Sequence, residues 1–440
     1  MSLPVTHLPR ITIQDSFPEV SREIREGLHA AEDVWVSCFL EGKASVHGKV
    51  RVLEREGGGE VEIEAREGVE AELVDQHSLR IACPTLKIPP TEVLFPSSAP
   101  VSLRGGVQKL AVAPDGRRVV VGGAGGAIRC RTLVGEGAGR EISLKGHVGD
   151  VTAIKFFPSS EVVLTASLDM GIRVFSAVDG SNPRTLTGHT KPVTSLHILG
   201  RGRQILSSSL DGTLRLWNVA QAEVVKKWAF PQPVSDFALL GEEKEDGNID
   251  GRLVLAAHTN GTASLVSLDA ENGFHPLLQL TINSSSPIEA ITLASSPDGA
   301  VVALGARNGT TSIFRLPSPL PSSPGDGAES LSPLLAFSRS TVAITSLVFS
   351  SSPPPPPASS STDLTLLISS ADGLPFSASL SLPPPSPTAN SDVGSNGTTV
   401  KVQEEFAGLD TDAANQILED QAGGIWVAGA DGKARRYLRV

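Results

Sequence analysis

Along most of the chain, apolar residues come in short β-prone runs broken by glycine, asparagine or aspartate turns. Val301-Val302-Ala303-Leu304 precedes Asn308-Gly309, and Thr311-Ser312-Ile313-Phe314 follows it. Turn residues that tolerate φ > 0 between two such runs predict a hairpin. The same punctuation recurs at Gly125, Asp169, Asp211, Asn260, Asn308, Asp372 and Asp431, which makes seven turns. Two of these units repeat in register. Gly146-His147, Val163 to Asp169 and Ile172-Arg173-Val174-Phe175 return as Gly188-His189, Ile205 to Asp211 and Leu214-Arg215-Leu216-Trp217, with His, Asp and the aromatic residue each stepping by 42. A fixed period of that size marks a supersecondary unit that buries its faces against copies of itself. No run of about 18 apolar residues occurs, so no membrane span is expected.

Gly-His near the start of each unit and an aromatic residue near its end resemble the WD40 family, whose repeats run about 40–45 residues. The resemblance implies an all-β, seven-bladed WD40 β-propeller over residues 86–440. It also implies a buried hydrogen-bond network in each well-kept blade. The members are His189, Ser207 or Ser209, Asp211 and Trp217 in one, and His147, Thr165 or Ser167 and Asp169 in the preceding one, where Phe175 offers no N–H donor. Asp431 takes the same turn position in the last repeat. After it, the third strand runs almost to Val440, so a fourth strand is missing. Closing the ring removes exposed sheet edges, and the stretch from Leu86 to Leu103 is the expected donor.

Later turns are spaced by 49, 48, 64 and 59 residues. The excess falls in an acidic loop at 241–250 and in Pro/Ser-rich insertions at 317–333, 351–360 and 381–398. Such tracts bury too little apolar surface to offset their ordering entropy and are expected to be disordered. Residues 1–85 carry no turn marker, yet Val61-Glu62-Ile63-Glu64 alternates and Val34, Val36 and Phe39 flank Trp35. These features predict a small, separate N-terminal β-rich domain.

Charge changes the picture next. Asp and Glu total 48 against 37 Lys and Arg, a net charge of −11, which disfavours a phosphate-backbone footprint and favours basic protein partners over nucleic acid. Cys38, Cys83 and Cys130 are odd in number and form no CxxC, so neither a disulfide framework nor a metal cluster is expected. The first thirty residues lack a basic start followed by an apolar stretch, which points to a soluble intracellular protein. Gly122 to Gly126 do not complete GxGxxG, and no cofactor is expected. The Ser, His and Asp residues are explained by the repeat and come with no Gly-x-Ser-x-Gly elbow, so a non-enzymatic role is expected.

Several stretches resemble one family more closely, the proteasomal ATPase-associated factors. They are Trp35-Val36-Ser37-Cys38, Phe156-Phe157-Pro158-Ser159, Arg201-Gly202-Arg203, Ser209 to Thr213 and Arg435-Arg436-Tyr437. The resemblance implies a monomeric, non-catalytic chaperone of proteasome 19S regulatory-particle assembly, cytoplasmic and nuclear. Its partners would be the C-terminal domain of one proteasomal AAA ATPase subunit and other base-assembly chaperones. Acidic residues between blades six and seven would supply the contacts on the top face: Glu405, Asp410 and Asp412, joined by Asp150 and Lys191 from other blade-to-blade loops. The repeats alone equally permit a scaffold or substrate receptor in ubiquitin ligation or signalling.

Overall fold

The structure of the protein, a computed structural model, describes residues 3–55, 60–241, 246–269, 276–282, 285–296, 299–320, 329–351, 362–383, 398–409 and 412–439. Among the described residues, seven sheets follow one another along the chain, each built on an antiparallel unit of four strands. Blade two is representative, with strands Val151–Phe156, Val162–Ser167, Ile172–Ser176 and Arg184–Leu186. Its second strand is buried almost throughout, because both of its faces meet neighbouring blades. That explains a near-continuous run of small and apolar residues where a one-sided sheet would alternate. The outermost strand of blade three, Glu223–Ala229, shows the opposite pattern and is largely exposed. First strands of successive blades pack side by side, and the last, Ala414–Glu419, returns against the first, Val107–Val112, closing a ring around a central channel.

Each first strand carries a bulge at the same place, between Val107 and Lys109, Val151 and Ala153, Val193 and Ser195, Val234 and Asp236, Ile288 and Ala290, Ile344 and Ser346, and Ala414 and Gln416. A bulge adds one unpaired residue and sharpens the local twist. The extra residue is always polar: Gln108, Thr152, Thr194, Ser235, Glu289, Thr345 and Asn415.

The chain before blade one is used twice. Val101 and Ser102 pair antiparallel with Ala434 and Lys433 and supply the fourth strand of blade seven. Ile88–Leu94, in the same donor stretch, instead runs parallel to Thr399–Phe406 and extends the sheet of blade six. Strands Glu70–Asp75 and Ser78–Cys83 continue that sheet outward.

Residues 1–85 are therefore not a detached unit. Val5–His7 pairs parallel with Leu335–Ser338 of blade five, and the rest packs on blade six. A second sheet, Arg10–Ile13, Ala31–Phe39, Val46–Glu54 and Val61–Arg66, holds the helix Phe17–Arg25 through Phe17, Val20 and Ile24. Alternation in Ala31–Phe39 turns Val34, Val36 and Cys38 inward and leaves Trp35 49% exposed beneath the Lys49 ammonium, 4.3 Å from the ring. Cys38 and Cys83, remote in sequence, are free thiols in this one core, and burial, with Cys83 beside it, pushes Cys38 up to about 12. Part of the first expected insertion is also structured, since Glu329–Leu331 pairs parallel with Leu278–Thr281. Residues 321–328, 352–361 and 384–397, the bulk of the three insertions, lie outside the described residues, as do 242–245 of the acidic loop.

Candidate functional site

Blade three holds the expected network. His189 Nδ1 meets Asp211 Oδ2 at 2.9 Å and its Nε2 meets Ser207 Oγ at 2.8 Å, while Trp217 Nε1 donates to the same hydroxyl at 2.8 Å. A ring nitrogen facing a carboxylate carries the proton. The chain of donors thus runs from Trp217 through Ser207 to His189 and on to Asp211. Of the two candidate serines, Ser207 belongs to this chain. Ser209 instead donates to the Lys191 carbonyl and accepts the Asp211 N–H, both at 3.0 Å. Burial pushes the Asp211 carboxyl up, but the Thr213 hydroxyl, His189 and the Thr190 N–H outweigh it and hold the group at about 2. Burial lowers the pKa of His189, against the pull of Asp211.

Blade two repeats the geometry with His147 between Asp169 at 2.8 Å and Thr165 at 2.9 Å, and Phe175 in place of the indole donor. Asp431 in blade seven has no histidine partner. It pairs with Arg435, Nη2 to Oδ2 at 2.5 Å, and accepts the Lys433 N–H. Arg215 stands likewise four residues after Asp211, at 3.5 Å. The Asp-x-x-x-Arg spacing, present at Asp169, Asp211 and Asp431, was the available signal for these arginines. Every member of the network is spent on holding a blade together, which leaves no free nucleophile in it.

The channel encloses about 680 Å³ and is lined by all seven bulge residues. For three of them the polarity has a structural cause, because their side chains join one blade to the next. Thr194 donates to the Val234 carbonyl at 3.0 Å, Asn415 to that of Val107 at 2.9 Å, and Thr345 to that of Ala414. One position further on, Gln416 accepts the Leu110 N–H at 2.7 Å and Asp236 that of Ile291 at 3.2 Å. Burial lowers the pKa of Lys109 and Lys155 and raises that of Asp236. His197 is lowered to about 3 by burial, then by Lys155 and Arg252. Among the described residues no group of three or more His, Cys, Asp or Glu could hold a metal ion.

Of the expected contacts, Asp412 is exposed in the loop leaving blade six, and Lys191 is exposed between blades two and three. Asp150 is half-buried and accepts the Gly125 N–H at 2.8 Å at the channel rim. Asp410 lies outside the described residues. Glu405 is not on the surface: it is 4% exposed, paired with Arg339 at 2.5 Å, and accepts the Ile11 N–H at 3.1 Å. Burial raises its carboxyl pKa, and the Arg339 guanidinium and Ile11 amide pull against that. The N-terminal segment covers it, which no local pattern around Glu405 announces.

The same face presents an apolar group that sequence reasoning missed. Val148, Leu168 and Met170 are 81%, 46% and 42% exposed at the top of blade two. Loop and turn are fixed to each other, since the Val148 N–H donates to Asp169 and the Leu168 N–H to the Asp150 carbonyl. One repeat later, Thr190 and Gly212 stand where blade two has Val148 and Met170. Met170 keeps the left-handed backbone, φ 65°, that suits glycine at this turn. That conformation costs a side-chain-bearing residue about 1–2 kcal/mol. The repeat does not require methionine there.

The profile described as WD domain, G-beta repeat, matches residues 140–176 and 180–218, which are the two units with equal internal spacing. Over 47 residues the chain is 51% identical to the 26S proteasome regulatory subunit RPN14 of Saccharomyces cerevisiae. That stretch is 11% of each chain, so the similarity spans about a tenth of the relative's length. The protein is an all-β WD40 propeller with an N-terminal segment built onto its fifth and sixth blades.

Proposed function

We propose that this propeller is a non-catalytic docking platform, acting in the cytoplasm and nucleus, that binds the C-terminal domain of one proteasomal AAA ATPase subunit during assembly of the 19S regulatory-particle base. The observation that carries this reading is the 51% identity over 47 residues to a proteasome regulatory subunit. The top face supplies the means. A rigid ring presents its loops without moving them, and Val148, Leu168 and Met170 offer an exposed apolar centre, of which the next repeat keeps only the leucine, as Leu210. Exposed apolar groups rimmed by polar ones suit a protein partner. Asp412, Asp150 and Lys191 lie in blade-to-blade loops, with Asp410 two residues before Asp412 in the sequence, and the acids among them suit a basic helical face, where charge complementarity raises on-rate and specificity more than affinity. Glu405 has no part in this surface.

The test is capture of the full chain by isolated C-terminal domains of all six proteasomal ATPases, at low and raised salt. One domain should retain it, less well at raised salt. Retention by none would return the molecule to the class of unassigned WD40 scaffolds.

A further inference from the structure

Between the N-terminal segment and blade six lies a cleft of about 560 Å³. One wall is strand Arg10–Ile13, outermost in its sheet. Gln14 N–H bonds to the Trp35 carbonyl at 3.2 Å, and Ile13 and Ile11 stand opposite Val36 and Cys38. Hydrogen-bonded and open pairs alternate in an antiparallel ladder. Ile11 and Ile13 therefore occupy open positions, and their N–H and C=O groups point away from the sheet, into the cleft. Of these, the Ile11 N–H is held by Glu405.

The facing wall is made by the turn of blade six, Asp372 to Leu374, and by the loop that leaves the blade, Phe406 to Leu409. Asp372 Oδ1 accepts from the Ser370 hydroxyl at 2.5 Å and the Leu374 N–H at 3.2 Å, but Oδ2 is buried with no partner among the described residues. Buried polar atoms are nearly always paired, so an unpaired carboxylate oxygen in a residue that lines a cleft calls for a donor. Asp15 adds a second acid, and Ile11, Ile13, Phe39 and Val93 make the floor apolar.

We propose that this cleft binds an extended segment of another protein, which adds as a strand along Arg10–Ile13 and sets a lysine or arginine on Asp372. Strand addition takes affinity from main-chain hydrogen bonds and specificity from alternate side chains. The open amide and carbonyl of Ile13 supply the first, and Asp372 with Asp15 supplies the second. The insertions of this chain are unsuited to the place, because residues 321–328, 352–361 and 384–397 contain no lysine or arginine. The site is formed by strand Arg10–Ile13 and blade six, apart from the apolar group on blade two, and it stands or falls independently of the ATPase reading.

Fluorescence anisotropy of the full chain with six labelled hexapeptides tests it. Each alternates valine and threonine and carries one lysine, placed at each position in turn. At least one should bind, and replacing its lysine by glutamate should abolish the signal. Methylating its alternate backbone amides in one register should weaken binding at least about tenfold, and in the other register should not, because only one edge of the added strand is paired. Asp372→Asn should weaken binding by roughly tenfold at an unchanged melting temperature. Should that variant melt earlier, Asp15→Asn and the methylated peptides, which need no change in the protein, decide instead. Absence of binding by all six peptides, equal binding of the glutamate peptide, or indifference to methylation in both registers would overturn the proposal.

Discussion

At the scale of single residues, His189 shows how a repeat can look like a catalytic set. Its two nitrogens are committed to Asp211 and Ser207, and Ser207 also satisfies the indole N–H of Trp217. Ser207→Ala would leave two buried groups unpaired, at about 1–3 kcal/mol each. The urea midpoint should fall accordingly, and an unchanged midpoint would contradict the network. Spacing in the sequence pointed to the histidine, acid and tryptophan. It left Ser207 and Ser209 equivalent, since residues two apart on a strand share a face, and only the register against Leu196 and Arg215 separates them. Glu405 was illegible for a different reason. Beside Glu404 and upstream of Asp410 and Asp412 it reads as part of a solvated patch, but its amide donor is 394 residues away. Glu405→Gln should destabilise the fold by about 3–5 kcal/mol by stranding the buried Arg339 guanidinium. A variant as stable as the parent in thermal melting would return Glu405 to the surface.

Among the elements, the buried second strands and their turns were readable even where the blade motif fades. Leu253–His258 and Gly299–Ala306 are apolar runs between glycine or asparagine turns, and both fold as expected. The closing strand was readable as a need, because an open blade leaves an edge. Its exact residues were not, since Ile88–Leu94 is the longer and more apolar candidate and pairs with blade six instead. The helix Phe17–Arg25 left a signal in Phe17, Val20 and Ile24, spaced for one helical face. The bulges left only a polar residue after the first residue of each inner strand. Beside the last bulge, Gln416 joins blade seven to blade one, so Gln416→Leu, which removes the acceptor of the Leu110 N–H, should cost about 1–3 kcal/mol. Calorimetry that finds this variant unaltered would show that the inter-blade bond contributes nothing.

For the whole molecule, buried histidines set an acid limit. Burial lowers His147, His189, His197 and His258, the last to about 4, from a usual value of 6.5. Below pH 6.5 the unfolded chain takes up protons that the folded one refuses, so stability falls with pH from 6.5 toward 4, at up to about 1.4 kcal/mol per pH unit for each group. Asp169 and Asp211 are held below their usual range, and their contribution is lost later, as pH falls below 3.8. The melting temperature should therefore drop between pH 7 and pH 5, and a flat profile would contradict the burial of these rings. Ring closure and the acidic balance were both visible in the sequence. The attachment of the first 85 residues was not, because parallel pairing with strands hundreds of residues later leaves no local mark.

The proposed docking of an ATPase domain on the top face turns on the exposed group of Val148, Leu168 and Met170, and the repeat does not require its methionine. Titration of the retained ATPase C-terminal domain into the full chain and into its Met170→Gly variant tests this most directly. Glycine suits the backbone at this position, so the variant should melt no earlier than the parent while binding roughly tenfold more weakly, the equivalent of about 1.4 kcal/mol. Equal affinity in a variant of equal stability would contradict the account.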